Sequence, residues 1–467
     1  MSEGLPEGWA RVKLGDILLG IEAGKSFTCE PRPANFDEWG VIKVSAMTWG
    51  TFKEDENKAL PSHREPDPRY EIRPGDILVS RANTEAYVGA PVLVGECRRR
   101  LLLSDKSLRL KPASNIDPRW LVYALASPTV RRQISAKSTG AQESMRNISQ
   151  SALADVELLL PPAVEQKRIV EAVEDHLSRL DAAETAVVAD QRRAVMLAKR
   201  IIISAVPLPA PEHWQVVTVA EGGAVDLGRQ RHPDWHTGDS MRPYLRVANV
   251  FEDRIDVDDV MEMHFPDELF ERFRLRIGDI LLNEGQSPEY LGRPAMYRGL
   301  PRDVAFTNSL LRFRANDGVD PEWALLVFRR HMHARRFVEE VRITTNIAHL
   351  SAGRFKSVEF PIPPIHEQLQ IVASTKELLS GVDRLAAALA KARQRAVHLR
   401  QALLEAALKG QLAKQNPSDE CARELLEKIE TEQRGTSLSR RGARRSPVLA
   451  PRKPSGQSAG FQEELPL

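Results

Sequence analysis

Gly75-Asp76-Ile77-Leu78-Val79-Ser80 returns 203 residues later as Gly278-Asp279-Ile280-Leu281-Leu282-Asn283. Around this pair the chain repeats itself. Pro6-Glu7-Gly8-Trp9 comes back as Pro211-Glu212-His213-Trp214, and Asp117-Pro118-Arg119-Trp120 as Asp320-Pro321-Glu322-Trp323. Pro161-Pro162 with Glu165-Gln166 comes back as Pro363-Pro364 with Glu367-Gln368. In chain order the four offsets are 205, 203, 203 and 202. Chance does not keep four such matches in register, so the chain is a tandem duplication. The period is too long for a solenoid, whose repeats run roughly 20–50 residues. An internal two-fold suits a molecule that reads two similar objects, or two halves of one.

Within each copy the texture is α+β. Ile77–Ser80, Pro91–Gly95 and Leu108–Leu110 are short apolar runs bounded by turn residues and read as strands. Asp117 before Pro118 reads as an N-cap with proline at the first helical position, opening a helix through Trp120–Leu125. Then the pattern changes. From Ala163 to Ala205 there is neither proline nor glycine. Ile169, Val173, His176, Leu180, Ala183, Val187, Asp190, Ala194, Leu197 and Ile201 alternate at steps of four and three, a heptad seam. The second copy repeats the alternation from Ile371 to Leu403. His176, Asp190 and Thr375 are polar intrusions. Asp190 needs either water or a partner, because a buried lone carboxylate is costly. Each helix of about 40 residues would be roughly 60 Å long, and a narrow apolar stripe of that length needs a partner helix.

Composition bounds the rest. The 467 residues carry a formal net charge of +2, with 28% charged, so any basic surface is local. Three scattered cysteines, Cys29, Cys97 and Cys421, make neither a disulfide framework nor a zinc site. No signal peptide or membrane span is legible, and a cytoplasmic location is expected. The last fifty residues hold Arg434, Arg440, Arg441, Arg444, Arg445, Arg452 and Lys453 among Ser, Gly and Pro, which reads as a disordered basic tail.

In its ordered set of motifs each copy resembles the specificity (S) subunit of type I restriction-modification enzymes. The first copy carries Pro6–Trp9, Gly75–Arg81, Val88-Gly89 and Leu158–Pro162 followed by Glu165–Val170. The second carries Trp214, Gly278–Leu281, Leu291-Gly292, Pro361–Pro364 and Glu367-Gln368, and closes its helix with Leu403–Leu412. The first long helix departs from that close, ending Ile201-Ile202-Ile203-Ser204-Ala205. The resemblance covers about residues 5–415 and implies an α+β chain of two tandem α/β target-recognition domains. These would be separated by two long helices packed as an antiparallel coiled coil with an internal pseudo-two-fold. The expected divisions are a first recognition domain at 1–162, a long helix at 163–206, a second domain at 207–364, a second helix at 365–415 and the tail at 416–467. The resemblance further implies double-stranded DNA as the ligand, one half-site per domain, a spacer set by the helices, and two methyltransferase (M) subunits with restriction (R) subunits as partners. S-adenosylmethionine, ATP and Mg are expected on those partners, with no cofactor in this chain.

The residues themselves argue against catalysis. There is no Asn-Pro-Pro-Tyr or Asp-Pro-Pro-Tyr for adenine methylation and no Walker A sequence for ATP. Glu165 and Glu367 could suggest carboxylate chemistry, but an acid in the first turn after Pro-Pro more simply complements the helix dipole. Direct readout of bases needs Arg or Lys for guanine and Asn or Gln for adenine, carried on loops that enter a groove. Such residues cluster after each Gly-Asp-Ile-Leu strand and before each closing strand. The first copy offers Lys25, Lys43, Arg81, Asn83 and Gln142. The second offers Arg229, Arg231, Arg246, Asn249, Asn283, Gln286 and Asn346. The framework repeats while these loops diverge, as two readers of different sequences would. Two rival readings remain, a coiled-coil adaptor with protein-binding domains and a fused modification enzyme.

Overall fold

In a computed structural model the described residues are 5–48, 50–140, 145–339 and 348–443. The chain divides into two compact units. One comprises Met1–Ala183 with Arg395–Leu467, and the other Glu184–Gln394.

The first unit holds a four-stranded antiparallel sheet in the order Leu18–Ala23, Ser107–Pro112, Ile77–Ser80, Pro91–Leu93. Beside it lies a three-stranded sheet, with Gly40–Ile42 antiparallel to Asn57–Ala59 and parallel to Leu101–Leu102. The second unit repeats both. Its four strands are Gly223–Leu227, Leu310–Ala315, Ile280–Asn283 and Pro294–Met296, and its three are Met261–His264, Met241–Leu245 and Ala305–Phe306. The repeated motif thus forms the third strand of equivalent sheets. Gly75 and Gly278 enter it at φ of 89° and 92°, a conformation glycine adopts without a Cβ clash. Asp76 and Asp279 close the turn by accepting the backbone N–H of Arg73 and Arg276 at 2.9 and 2.8 Å.

The expected helix caps are present. Asp117 caps Pro118–Ala126 and Asp320 caps Pro321–His333, each with proline at the start. Their tryptophans, Trp120 and Trp323, are fully buried in the two main cores.

The two long helices run from Ala163 to Ala205 and from Ile365 to Leu408. Each begins in one core and ends in the other. The first unit's core takes Ile169, Val170 and Val173 from the start of the first helix and Leu404, Ala407 and Leu408 from the end of the second. The second unit's core takes Val372 from the start of the second helix and Ile202 from the end of the first. Inside each unit the helices lie side by side. Arg400 pairs with Asp181 in the first unit, and Leu197, Ile201 and Ala205 share a cleft with Ile371 and Leu378 in the second. The seam is buried only in part. Val173, Ala194, Thr375, Val382 and Ala396 are buried, whereas Leu197, Leu378, Leu385 and Leu399 are exposed. Asp190 resolves in favour of water: its side chain is 47% exposed and pairs with Arg193 of its own helix at 2.8 Å.

One expectation is corrected. Residues 416–443 are not all a disordered tail, because Ala422–Ala443 is a helix. Ala422, Leu425 and Ile429, spaced at three and four, bury in the first core. Gln433 donates to the carbonyls of Asp16 and Leu18 at 3.1 and 2.9 Å, and Glu432 accepts from the Ser114 N–H at 3.1 Å. The stripe was short and embedded in charge, and read as composition it resembled a tail. Arg444, Arg445, Arg452 and Lys453 lie outside the described residues.

Candidate nucleic-acid interface

Beyond each Gly-Asp-Ile-Leu strand the chain makes a short strand that pairs with a piece from far along the sequence. Ala82–Asn83 pairs with Arg146–Asn147, and Gly285–Gln286 with Ala348–His349. The stretch after each Gly-Asp-Ile-Leu strand therefore lies beside Arg146–Asn147 in the first copy and Ala348–His349 in the second. The turn that follows is also the same twice. Val88-Gly89 and Leu291-Gly292 return the chain, with Gly89 and Gly292 at φ of 72° and 67°. A Cβ there would collide with Ile134 at 2.3 Å or with Phe337 at 2.5 Å. Just before these glycines an exposed tyrosine stands in each copy, Tyr87 and Tyr290. They escaped the sequence reading, although their offset of 203 marks them.

A second cluster forms where the two sheets meet. Lys25 bridges to Ser104, and Arg229 to Thr307, in the same parallel manner. Lys43 lies close by in the first unit, its Nζ 3.4 Å from Glu56, and shares a cleft with Lys25. Its counterpart Arg246 is held by Asp259.

The other candidates divide by exposure. Arg81 reaches the Asp105 carbonyl at 3.4 Å. Asn83 spends its carboxamide on its own turn, donating to Ser80 Oγ at 3.2 Å and accepting from the Thr84 N–H at 2.9 Å. Arg231 is exposed, 5.7 Å from the Tyr244 ring, and Gln286 is half-buried. Three candidates face inward and are buried. Arg229 is 7% exposed, lies 4.1 Å from the Trp235 ring and donates to the His264 carbonyl at 2.5 Å. Asn249, 1% exposed, accepts from the Arg246 N–H at 3.0 Å and donates to the carbonyls of Asp256 and Asp259 at 3.1 and 2.9 Å. Asn283 is fully buried in its strand. A loop-like polar composition gave no hint that these side chains turn inward. Gln142 and Asn346 lie outside the described residues.

The repeated acids and arginines are framework. Trp9 and Trp214 donate their indole N–H to Glu165 and Glu367. Gln166 and Gln368 accept the N–H of the cap residues Asp117 and Asp320 at 2.9 and 2.8 Å. Arg109 and Arg312, buried in equivalent strands, donate to the carbonyls of Glu71 and Arg274. Among the described residues no group of His, Cys, Asp and Glu could hold a metal ion, and no helix is long and apolar enough to cross a membrane.

Residues 6–188 match the family model of the type I restriction modification DNA specificity domain. The chain is 35% identical, over 196 residues, to the specificity subunit of the type I restriction enzyme EcoEI of Escherichia coli. That alignment spans 42% of this chain and only 33% of the relative. The EcoKI specificity subunit of Escherichia coli (strain K12) is 23% identical over 95% of this chain and 100% of its own. Among solved structures, the HsdS subunit of Thermoanaerobacter tengcongensis superposes with a TM-score of 0.55 at 21% identity, covering 88% of this chain and 100% of that one. A chain from a structure concerned with complex assembly and conformational transition of the type I R-M system gives 0.64 at 20% identity, over the same shares. These structural likenesses extend the shared fold across both units. Both the EcoEI and the EcoKI relatives are named as specificity subunits of type I restriction enzymes.

Proposed function

We propose that the chain is the non-catalytic, DNA-reading specificity subunit of a type I restriction-modification complex, each unit reading one half of a bipartite double-stranded target. The observation that carries this is internal. Two units of the same topology, one of them matched to the specificity-domain family, hold loops of different chemistry at the same places on the same framework. Lys25, Lys43, Arg81, Asn83 and Gln142 serve the first half-site. Arg231, Arg246, Gln286 and Asn346 serve the second, with Arg229, Asn249 and Asn283 shaping the loops. The long helices, paired antiparallel as a coiled coil, set the spacer and dock two M subunits. R subunits, S-adenosylmethionine, ATP and Mg belong to the partner side of the complex, and the complex works in the cytoplasm.

The test is a swap. Replacing residues 5–162 with the same region of a relative, in cells that carry the M subunit, changes one methylated half-site and leaves the other intact. Methylome sequencing that finds both half-sites changed overturns the division of labour. A chain that binds no duplex in the presence of M favours the protein-binding adaptor instead.

A further inference from the structure

The two units, alike in topology, differ in charge at one place. In the first, a cleft of about 340 Å³ opens where the two sheets meet. Four lysines line it, Lys25, Lys43, Lys58 and Lys106, over a floor that includes Phe27, Val41 and Val44. Lys25, Lys58 and Lys106 are exposed and Lys43 half-buried. Two carboxylates also sit there: Asp105 lines the cleft, and Glu56 approaches Lys43. Glu56 also accepts from Ser45 Oγ at 2.6 Å, so it is shared.

The strand registers identify the equivalent residues of the second unit. Lys58 faces Val41 as Met261 faces Tyr244. Val41 runs beside Leu102 as Tyr244 runs beside Ala305, which makes Lys106 the counterpart of Ser309, again at an offset of 203. Lys43 corresponds to Arg246 and Lys25 to Arg229. So two of the four cations are replaced by Met261 and Ser309. The other two are arginines committed to the protein, one to Asp259 and one between Trp235 and Phe265. A flexible ammonium suits a phosphate as a point charge, whereas a guanidinium already tied to a carboxylate or buried against rings offers a phosphate fewer donors.

We propose that the four-lysine cleft of the first unit grips the phosphodiester backbone of its half-site, and that the second unit, with the exposed Arg231 beside the equivalent strand in place of the lysine cluster, grips its half-site more weakly. The inference rests on the DNA-reading function above. Phosphate contacts orient a protein on the duplex without reading its sequence. The grip therefore sets the affinity and salt sensitivity of one half of the complex, not its choice of bases.

The test transplants the second unit's residues into the first, as K58M/K106S in the full chain, co-purified with its M subunits. Duplex binding is followed by fluorescence anisotropy across a KCl series, and specificity by the sequence methylated. Each phosphate contact contributes about 0.9 to the slope of log affinity against log salt. The double variant is expected to flatten that slope by up to about 2 while methylating the same sequence. K58Q and K106Q singly, with thermal midpoints, guard against a folding defect and are each expected to flatten it by about half as much. An unchanged slope in folded variants overturns the grip while leaving the DNA-reading function intact. A changed methylation sequence also overturns it, since the lysines would then touch bases. No duplex binding by the unaltered complex overturns the DNA-reading function and this inference with it.

Discussion

Trp9 donates its indole N–H to the Glu165 carboxylate at 3.0 Å, and Trp214 does the same to Glu367 at 2.9 Å. Partners some 150 residues apart tie the entry of each unit to the first turn of the helix that leaves it. This gives the repeated acid a structural role in place of a catalytic one. Glu165 is 1% exposed, and burial pushes its carboxyl above the ordinary range. The folded state therefore holds its proton to higher pH than the unfolded chain does. Ionisation costs stability as pH rises from the unfolded value through the folded one. Glu165→Gln is expected to keep an acceptor for Trp9, remove that pH dependence and leave neutral-pH stability equal or higher. Glu165→Leu strands a buried indole donor and costs about 1–3 kcal/mol. Chemical denaturation at pH 5 and pH 8 checks both. A Gln variant clearly less stable than the parent at pH 8 would show the charge itself to be needed.

His331 is fully buried, its Nε2 2.9 Å from the Glu359 carbonyl, and burial pushes its pKa down to about 4. Unfolded histidine titrates near 6.5. The second unit should thus lose stability as pH falls from about 6.5 to about 4, by an amount on the order of 3 kcal/mol. Hydrogen exchange across Pro321–His333 at pH 7 and pH 4.5 measures it. Protection that is unchanged, after correction for intrinsic rates, contradicts the prediction.

Asn249 satisfies three backbone groups from a fully buried position. Asn249→Ala leaves an N–H and two carbonyls unpaired and is expected to cost about 2–3 kcal/mol. Because the same loop presents Arg246, duplex affinity should fall with it. A variant that lowers affinity without lowering the melting temperature would assign Asn249 to DNA directly.

Ile429 is fully buried between the C-terminal helix and the first core. Ile429→Ala is expected to cost about 2–5 kcal/mol, and truncation after Gln415 should raise hydrogen exchange at Leu14–Leu18. Exchange in the second unit should not change, because among the described residues none of that helix's buried side chains belongs to the second unit's cores. Equal deprotection of both units would contradict this.

If the helices are the ruler, four residues inserted into each near its midpoint add about 6 Å at 1.5 Å per residue. At about 3.4 Å per base pair, the target's spacer should lengthen by one or two base pairs with both half-sites unchanged. A still-active complex with the original spacer would mean that the recognition units are positioned by the M subunits.

The sequence by itself determined the duplication, the α+β class and the two long helices. Each of these is written as local periodicity or as a repeated cap, and neither depends on distant contacts. The seam from Ile169 to Ile201 needed only the helical period, and the Asp117-Pro118 cap only its own backbone. Tertiary structure decided which polar residues face water. Asn249 and Arg81 look alike in a loop-rich stretch, yet one closes a buried turn and the other stays near the surface, because carbonyls brought in from residues 256 and 259 claim the first. It also decided that Ala422, Leu425 and Ile429 fold back onto the first unit. Three apolar positions among charges bury favourably only when a core is waiting, and that core is assembled from residues between Trp9 and Val173 together with the end of the second long helix. The lysine cleft is decided in the same way. Lys25, Lys43, Lys58 and Lys106 are scattered over 82 positions of sequence, and the pairing of Gly40–Ile42 with strands from both sides, with the bridge from Lys25 to Ser104, brings their charges to one place.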